Sequence, residues 1–281
     1  MAKLIQYCTH ASHYDGAFDS KVGWAAAGMG YIIVTDGGHL IAIDGGFAED
    51  AQEFVDLLRE NSRDATPTVD LWIITHPHGD HYFALQEIAR REALRERVNI
   101  KTLMYHFPEE FRDRNGNGCA GAIRDLAWIA EQTGAAVKLP QVNEHIDIDG
   151  MDLHMLYTPT DCSILNNPNQ LSLIFTVQGP SKKLMITGDA YHRNMQIVVW
   201  RYDKSLACDI LQLPHHGLCD TGNLDFYKRV NASTVLIPIS VAGDRTMRSD
   251  MYGDSPKVNR FAEDNAETVY KAFEGTVEMA L

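Results

Sequence analysis

In the stretch "LWIITHPHGDHYFAL", Leu71 to Leu85, three histidines and an aspartate (His76, His78, Asp80 and His81) fall within six residues, directly after an apolar run. Imidazole and carboxylate are the side chains that zinc, manganese and iron accept as ligands. The run "LWII" has the composition of a buried strand, so the cluster falls where that strand ends and side chains can converge. His76 and His78 are two apart, and an extended backbone points both to one side. Pro77 and Gly79 suit a tight loop, around which Asp80 and His81 can face a second ion. The competing explanation is a polar turn that is rich in histidine by chance.

Two further segments bear on that choice. "KLMITGDAYH" is an apolar strand ending in Asp189, and "DILQLPHHGLCD" is another, ending in His215-His216-Gly217. An aspartate after a glycine is by itself an ordinary turn or N-cap residue, and an isolated histidine pair is usually structural. Three separate strand ends, each delivering ligand-type residues, favour a metal centre over chance. Other candidates have weaker claims. His154 sits inside an alternating strand and is expected to pack or to lie on the surface. Tyr105-His106 ends a strand and reads as a satisfied surface histidine, and Cys219 as a bystander thiol. "EALRERV" is a solvated helix face, and "RDRNGNG" is a loop that could close over a cleft as a flap.

The elements that must position these residues follow from periodicity. "YIIVTDGGHLIAIDGG" predicts two strands around a turn at Asp36-Gly37-Gly38. Ala48 to Ser62 has helical spacing and an acidic start. A strand at Leu71 to Ile74, a helix from about Phe83 to Arg95, a strand near Ile100 to Tyr105 and a helix near Ala120 to Gln132 come next. "HIDIDGMDLHMLY" alternates around Asp149-Gly150, and "LSLIFTVQG" pairs with "KKLMITGD". Strands and helices then alternate through "ACDILQLP", "NLDFYKRVN" and "STVLIPIS", and "ETVYKAFEGTVEMAL" reads as two short strands. Strand-rich runs in each half with helices between them predict an α/β fold, a sheet-on-sheet core covered by helices in four layers, α-β-β-α. With no repeat or linker-like tract, residues 1–281 read as a single domain.

Composition narrows the function classes. The 281 residues carry a formal net charge of −13, which disfavours long nucleic acid, whose binding leans on basic patches that release counterions. A small or nucleotide-like ester remains compatible with that charge. No apolar stretch is long enough to span a membrane, and the first residues lack the pattern of a signal peptide. Five cysteines (Cys8, Cys119, Cys162, Cys208 and Cys219) without a close pair suggest reduced thiols and a cytoplasmic location.

The motifs together resemble those of the metallo-β-lactamase superfamily. "THPHGDH" matches its HxHxDH signature, "LIAIDGG" around Asp44 its first motif, "TGD" its bridging aspartate and "PHHG" its last histidine motif. Order and spacing are similar to the branch containing the hydrolase domain of bacterial competence (DNA-uptake) proteins, including "NPNQLSLIF" before the TGD strand and a closing helix and hairpin in the tail. The resemblance runs from about Tyr31 to the end. It implies an αββα sandwich holding two divalent ions, zinc or manganese, with iron as a further possibility. His76 and His78 would hold the first ion, and Asp80 and His81 the second with one of His215 and His216; the resemblance favours His216. Asp189 would bridge the two ions, and Asp44 would hold the ligand loop by hydrogen bonds. Fuller members supply a third histidine to the first ion from the loop before the "SLIF" strand. Here that loop, Tyr157 to Gln170, has none; Asn169 stands in the expected place, and Asp161 and Cys162 are the other donors.

The expected chemistry is hydrolysis of an ester-like bond by a water ionised between two cations, with Asp80 and Asp189 as catalytic carboxylates. The branch resemblance points to a phosphodiester. A thioester or lactam is the alternative substrate, and a non-catalytic metal-binding interaction module is the alternative to an enzyme. A redox di-iron role is disfavoured, because such relatives replace the second histidine by glutamate, whereas this chain has His78.

Overall fold

Leu40, Ala42, Trp72 and Ile74 pack to one side of their strands, and Ile41, Ile43, Leu71 and Ile73 to the other. Apolar residues on both faces of a strand require cover on both faces, and that requirement organises the molecule. The computed structural model describes residues 1–16, 28–160, 165–218, 222–247 and 256–281.

The first seven strands in chain order are β1 (Lys3–Gln6), β2 (Gly30–Val34), β3 (Leu40–Asp44), β4 (Thr68–Ile73), β5 (Asn99–Ile100), β6 (Thr102–Met104) and β7 (Ala136–Lys138). The next seven are β8 (His145–Ile148), β9 (Met151–Tyr157), β10 (Ile174–Gln178), β11 (Lys183–Ile186), β12 (Ile210–Gln212), β13 (Thr234–Ile237) and β14 (Thr268–Lys271). β15 (Val277–Ala280) returns to the first sheet, whose order is β15-β1-β2-β3-β4-β6-β7 with β5 also paired to β4; the second runs β14-β13-β12-β11-β10-β9-β8. Both sheets are mixed: β3-β4-β6-β7, the side pairing β4-β5 and β11-β12-β13-β14 are parallel, and the other pairings are antiparallel.

The inner faces meet in a core that includes Ile33, Ile41, Ile43, Leu71 and Ile73 from one sheet and Met155, Phe175, Val177, Leu184 and Ile186 from the other. Burial of each such side chain contributes about 1.5–3 kcal/mol. Helices α1 (Ala51–Glu60), α2 (Gly79–Arg90), α3 (Glu92–Arg95) and α4 (Ala120–Thr133) cover the outer face of the first sheet. After them come α5 (His192–Tyr202), α6 (Leu224–Val230), α7 (Val241–Met247) and α8 (Pro256–Asn265), of which α5, α6 and α8 cover the second sheet. The four-layer αββα sandwich expected from the sequence is therefore present.

The hairpins expected around Asp36-Gly38 and Asp149-Gly150 form, and β10 pairs with β11 as expected. At the turn between β8 and β9, Asp149 (φ 53°) and Gly150 (φ 81°) are both left-handed, the conformation that a two-residue hairpin needs. The carboxylate of Asp149 also accepts hydrogen bonds from Thr35 Oγ1 (2.6 Å) and Gly37 N (2.7 Å), tying this hairpin to the β2-β3 turn of the opposite sheet.

Two features differ from expectation. The helix expected from Phe83 starts four residues earlier, at Gly79, and breaks at Arg91 (ψ 106°) before α3. Asp80 and His81 thus sit on its first turn and not at a strand exit. The tail contains α8 but no hairpin: β14 lies on β13, while β15 crosses to β1 through a 3-10 turn (Ala272–Glu274) and Gly275 (φ 121°). Finally, "RDRNGNG" is a self-contained turn. The Asp113 carboxylate accepts from Asn115 N and Asn117 N, and none of its residues lines the cleft described next.

Candidate metal centre

The ends of β4, β11 and β12 and the start of α2 open onto one cleft of about 280 Å³. His78, Asp80, Asn169, Asp189, His215 and His216 line it, with Asn167, Pro168, Tyr191 and Leu218. His76 and His81 are fully buried beneath.

Each ring is held from behind. His81 Nδ1 lies 2.8 Å from Asp44 Oδ2, and the same carboxylate accepts from Thr75 N (2.8 Å) and Thr75 Oγ1 (2.7 Å). Asp44 reaches this position from a left-handed backbone (φ 54°), and its carbonyl accepts from Trp72 Nε1 at 2.8 Å. His216 Nδ1 donates to Pro238 O at 2.7 Å. A ring whose Nδ1 donates to such an acceptor presents the Nε2 lone pair on its far side, the form that binds a cation. Ser172 Oγ lies 3.4 Å from His76 Nδ1 and accepts from the backbone N–H of Asp189 at 2.9 Å.

In front, the donors divide into two groups that share Asp189. Oδ1 of Asp189 lies 3.3 Å from His81 Nε2 and 3.5 Å from His216 Nε2, and Asp80 Oδ2 is 3.7 and 3.2 Å from the same two nitrogens. Oδ2 of Asp189 faces the other way, 3.8 Å from His76 Nε2 and 3.9 Å from His215 Nε2. His76 and His78, whose ring centroids are 4.2 Å apart, complete the second group with Asp189; within each group of candidate donors the atoms all lie within 4.8 Å. Two donors on one tetrahedral ion with bonds near 2.0 Å are separated by roughly 3.3 Å, so the Asp80–His81–Asp189–His216 spacing fits a single cation.

The electrostatics agree. His76 Nε2, His81 Nε2, His216 Nε2 and Asp189 Oδ1 are buried without a hydrogen-bond partner. Each such orphan costs about 1–3 kcal/mol, and several converging on one point are what a cation would relieve. Burial pushes His81 and His216 down, but the carboxylates around them win and raise both above the ordinary histidine range. Burial likewise opposes the charge on Asp189, yet His81, His216 and His215 hold it well below the usual carboxylate range. The cluster therefore demands positive charge, which protons meet only partly. His76 is the opposite case: burial, then the neighbouring His78, hold it well below the usual range.

The other expected residues fall as follows. Asn169 is in the cleft, but its amide Nδ2 lies 3.0 Å from His215 Nε2 and 3.2 Å from the Tyr191 hydroxyl; its Oδ1 is buried without a hydrogen bond. Asp161, Cys162 and Cys219 lie outside the described residues. His154 stacks on His145 across β8-β9 and meets Tyr202 edge-on, so it packs, as expected. His106 Nδ1 contacts Pro140 O at 3.1 Å in a separate groove. Sequence reading missed Thr75, Ser172 and Tyr191. The only signal was adjacency, since Thr75 precedes the His76 cluster and Tyr191 follows Asp189 by two residues. Among the described residues no helix is long and apolar enough to cross a membrane.

A search of curated proteins found no match. Solved structures share the fold at low identity. The metallo-beta-lactamase fold protein YhfI from Bacillus subtilis is 15% identical with a TM-score of 0.57, over 99% of this chain and 100% of that one. The Zn(2+)-bound PqqB of Methylobacterium extorquens is 11% identical with a TM-score of 0.59, over the whole of both chains. The diiron beta-hydroxylase CmlA of Streptomyces venezuelae is 13% identical with a TM-score of 0.57, over 99% of this chain but 54% of that one. A family model described as the metallo-beta-lactamase superfamily matches residues 27–235, a span containing Asp44, the His76–His81 cluster, Asp189 and the His215–His216 pair. The chain belongs to the metallo-β-lactamase superfamily.

Proposed function

We propose that this protein is a two-cation hydrolase that cleaves a phosphodiester of small size, with a kinship inside the superfamily to the competence-protein hydrolase domains. The observation that carries the reading is the division of Asp189, one oxygen toward His81 and His216 and the other toward His76. In this reading Asp80, His81, His216 and Asp189 Oδ1 hold one ion, and His76, His78 and Asp189 Oδ2 the other. Such a pair of ions, when bound, supplies an ionised water as nucleophile and offsets charge on the phosphoryl oxygens.

The remaining work falls to the chain. Asp44 and the carbonyl of Pro238 fix the orientation of His81 and His216, so that the donor set is arranged before substrate arrives. Two divalent cations against Asp80 and Asp189 leave the floor of the cleft cationic, which suits a singly anionic diester. The Tyr191 hydroxyl and the Asn167 amide, both lining the cleft, are neutral groups able to donate to non-bridging phosphoryl oxygens.

The test couples metal analysis of the purified protein to turnover of a generic phosphodiester, a phosphomonoester and a thioester. Preferred turnover of the diester, lowered more than about 10²-fold in Asp189→Asn, is expected. Preferred turnover of the thioester would reassign the substrate, and a protein that binds no cation would overturn the hydrolase reading altogether.

A further inference from the structure

The loop from Tyr157 to Gln170 gives the His76–His78 side no third imidazole, but His215 approaches it from just outside the close set of His76, His78 and Asp189. His215 Nε2 is 3.9 Å from Asp189 Oδ2, the oxygen that His76 Nε2 approaches to 3.8 Å. His216, the next residue, points to the opposite oxygen, Oδ1, at 3.5 Å. Adjacent residues reach opposite sides of one carboxylate because the backbone here is unusual. His215 (φ 49°, ψ 50°) and His216 (φ 57°, ψ 19°) are both left-handed, and Gly217 (φ 71°) follows in the same region.

A left-handed residue other than glycine is uncommon, and two in succession need a reason that the surroundings enforce. The segment is pinned by His215 N donating to Gly188 O (3.0 Å) and Leu218 N to His215 O (2.8 Å). A fold that needed only His216 could leave His215 in an ordinary conformation facing away. Instead His215 is 5% exposed and lines the cleft. Asn169 accounts for the rest of its setting: the amide Nδ2 lies 3.0 Å from His215 Nε2. An amide N–H donated to Nε2 keeps the lone pair on that nitrogen, on the side a cation would enter.

We propose that His215 completes the ligand set of the His76–His78 ion, and that Asn169 holds the His215 lone pair until a cation enters and is not itself the ligand. The two histidines of "PHHG" thus serve different ions, and the missing loop histidine is replaced from the opposite side of the cleft. A cation entering there takes over the lone pair that the Asn169 amide engages, and the Tyr191 hydroxyl, 3.2 Å from that amide, remains its acceptor. The inference rests on the two-cation reading above.

Titration of the metal-free protein with Co2+, followed by calorimetry and by visible absorption, tests it without reference to turnover. Wild type should take up two equivalents. His215→Ala should lose the same equivalent as His78→Ala, the double variant should lose nothing more, and His81→Ala should lose the other. Asn169→Ala should keep both equivalents with neither weakened, because its amide engages the same lone pair that the cation takes. Should His215→Ala fail to fold, His215→Cys serves in its place: a thiolate ligand adds a sulfur-to-cobalt charge-transfer band, lost when His78 is also removed. Two wild-type equivalents in His215→Ala, loss of the equivalent that depends on His81, or loss of an equivalent in Asn169→Ala with both kept in His215→Ala, would overturn the assignment. Failure of wild type to bind any Co2+ would remove the two-cation reading itself, and this inference with it.

Discussion

Asp44 touches no point of the cleft, yet it governs the ring that faces Asp189 most closely. It lies 2.8 Å behind His81 and is itself held by both donors of Thr75. Asp44→Asn puts an amide against the His81 ring, so the affinity for the ion on the Asp80–His81–His216 side should fall roughly 10–100-fold, measured by competition with a chromophoric chelator. The same side should depend on pH in a specific way. Carboxylates raise His81 and His216 above the ordinary range, so both retain protons near neutrality that an entering cation must displace. Affinity on that side should therefore fall as pH is lowered through neutrality, with protons released on binding. His76 is held well below the ordinary range and is already neutral there, so the other ion should show a weaker dependence. Calorimetry in buffers of different ionisation enthalpy reads both; equal proton release at the two sites would contradict this account. That His76, His81 and Asp189 come together was legible from three strand ends read jointly, although Asp189 by itself carried little signal. The opposite aim of His215 and His216 was not, because nothing before Gly217 announces a left-handed backbone at two histidines.

At the scale of elements, β4 carries the connection between core and site. Trp72 is fully buried between this strand and the helices, and its Nε1 donates to the carbonyl of Asp44. Trp72→Phe should cost about 1–3 kcal/mol in urea unfolding, one net hydrogen bond plus a small void, with the slope unchanged. A neutral effect would mean that the indole N–H contributes nothing. The long periodic elements were readable: α1, α4 and the β2-β3 and β8-β9 hairpins lie close to where spacing and turn residues put them. Errors cluster where the signal is short or local chemistry is overridden. α2 starts at Gly79, with His78 and not a serine or aspartate before it, so the usual N-cap mark is missing. β1 and β7 have four and three residues, too few for a period to show. The two tail strands have the pattern of a hairpin, and which sheet each joins is decided by edges that sequence pattern does not reveal.

For the molecule as a whole, the formal charge of −13 bears on the substrate proposed above. A small diester should be turned over nearly equally from low to moderate salt, whereas long duplex DNA should bind poorly at low salt and no worse as salt rises, because there are few counterions for it to release. Tight DNA binding with a steep negative salt dependence, read by fluorescence anisotropy, would contradict the charge argument. The crossing of β15 to β1 has a consequence in time. Lys3 is joined to Glu278, 275 residues away, and register holds from Lys3↔Ala280 to Gln6↔Val277. During synthesis the outer edge of β1 therefore stays open until almost every other element has left the ribosome. Contacts this distant along the chain form slowly, and an open strand edge is a site for mispairing with other chains. β15 thus acts as a latch on folding: until it arrives the first sheet keeps β1 as an adhesive border, and its arrival moves that border outward to the four residues of β15.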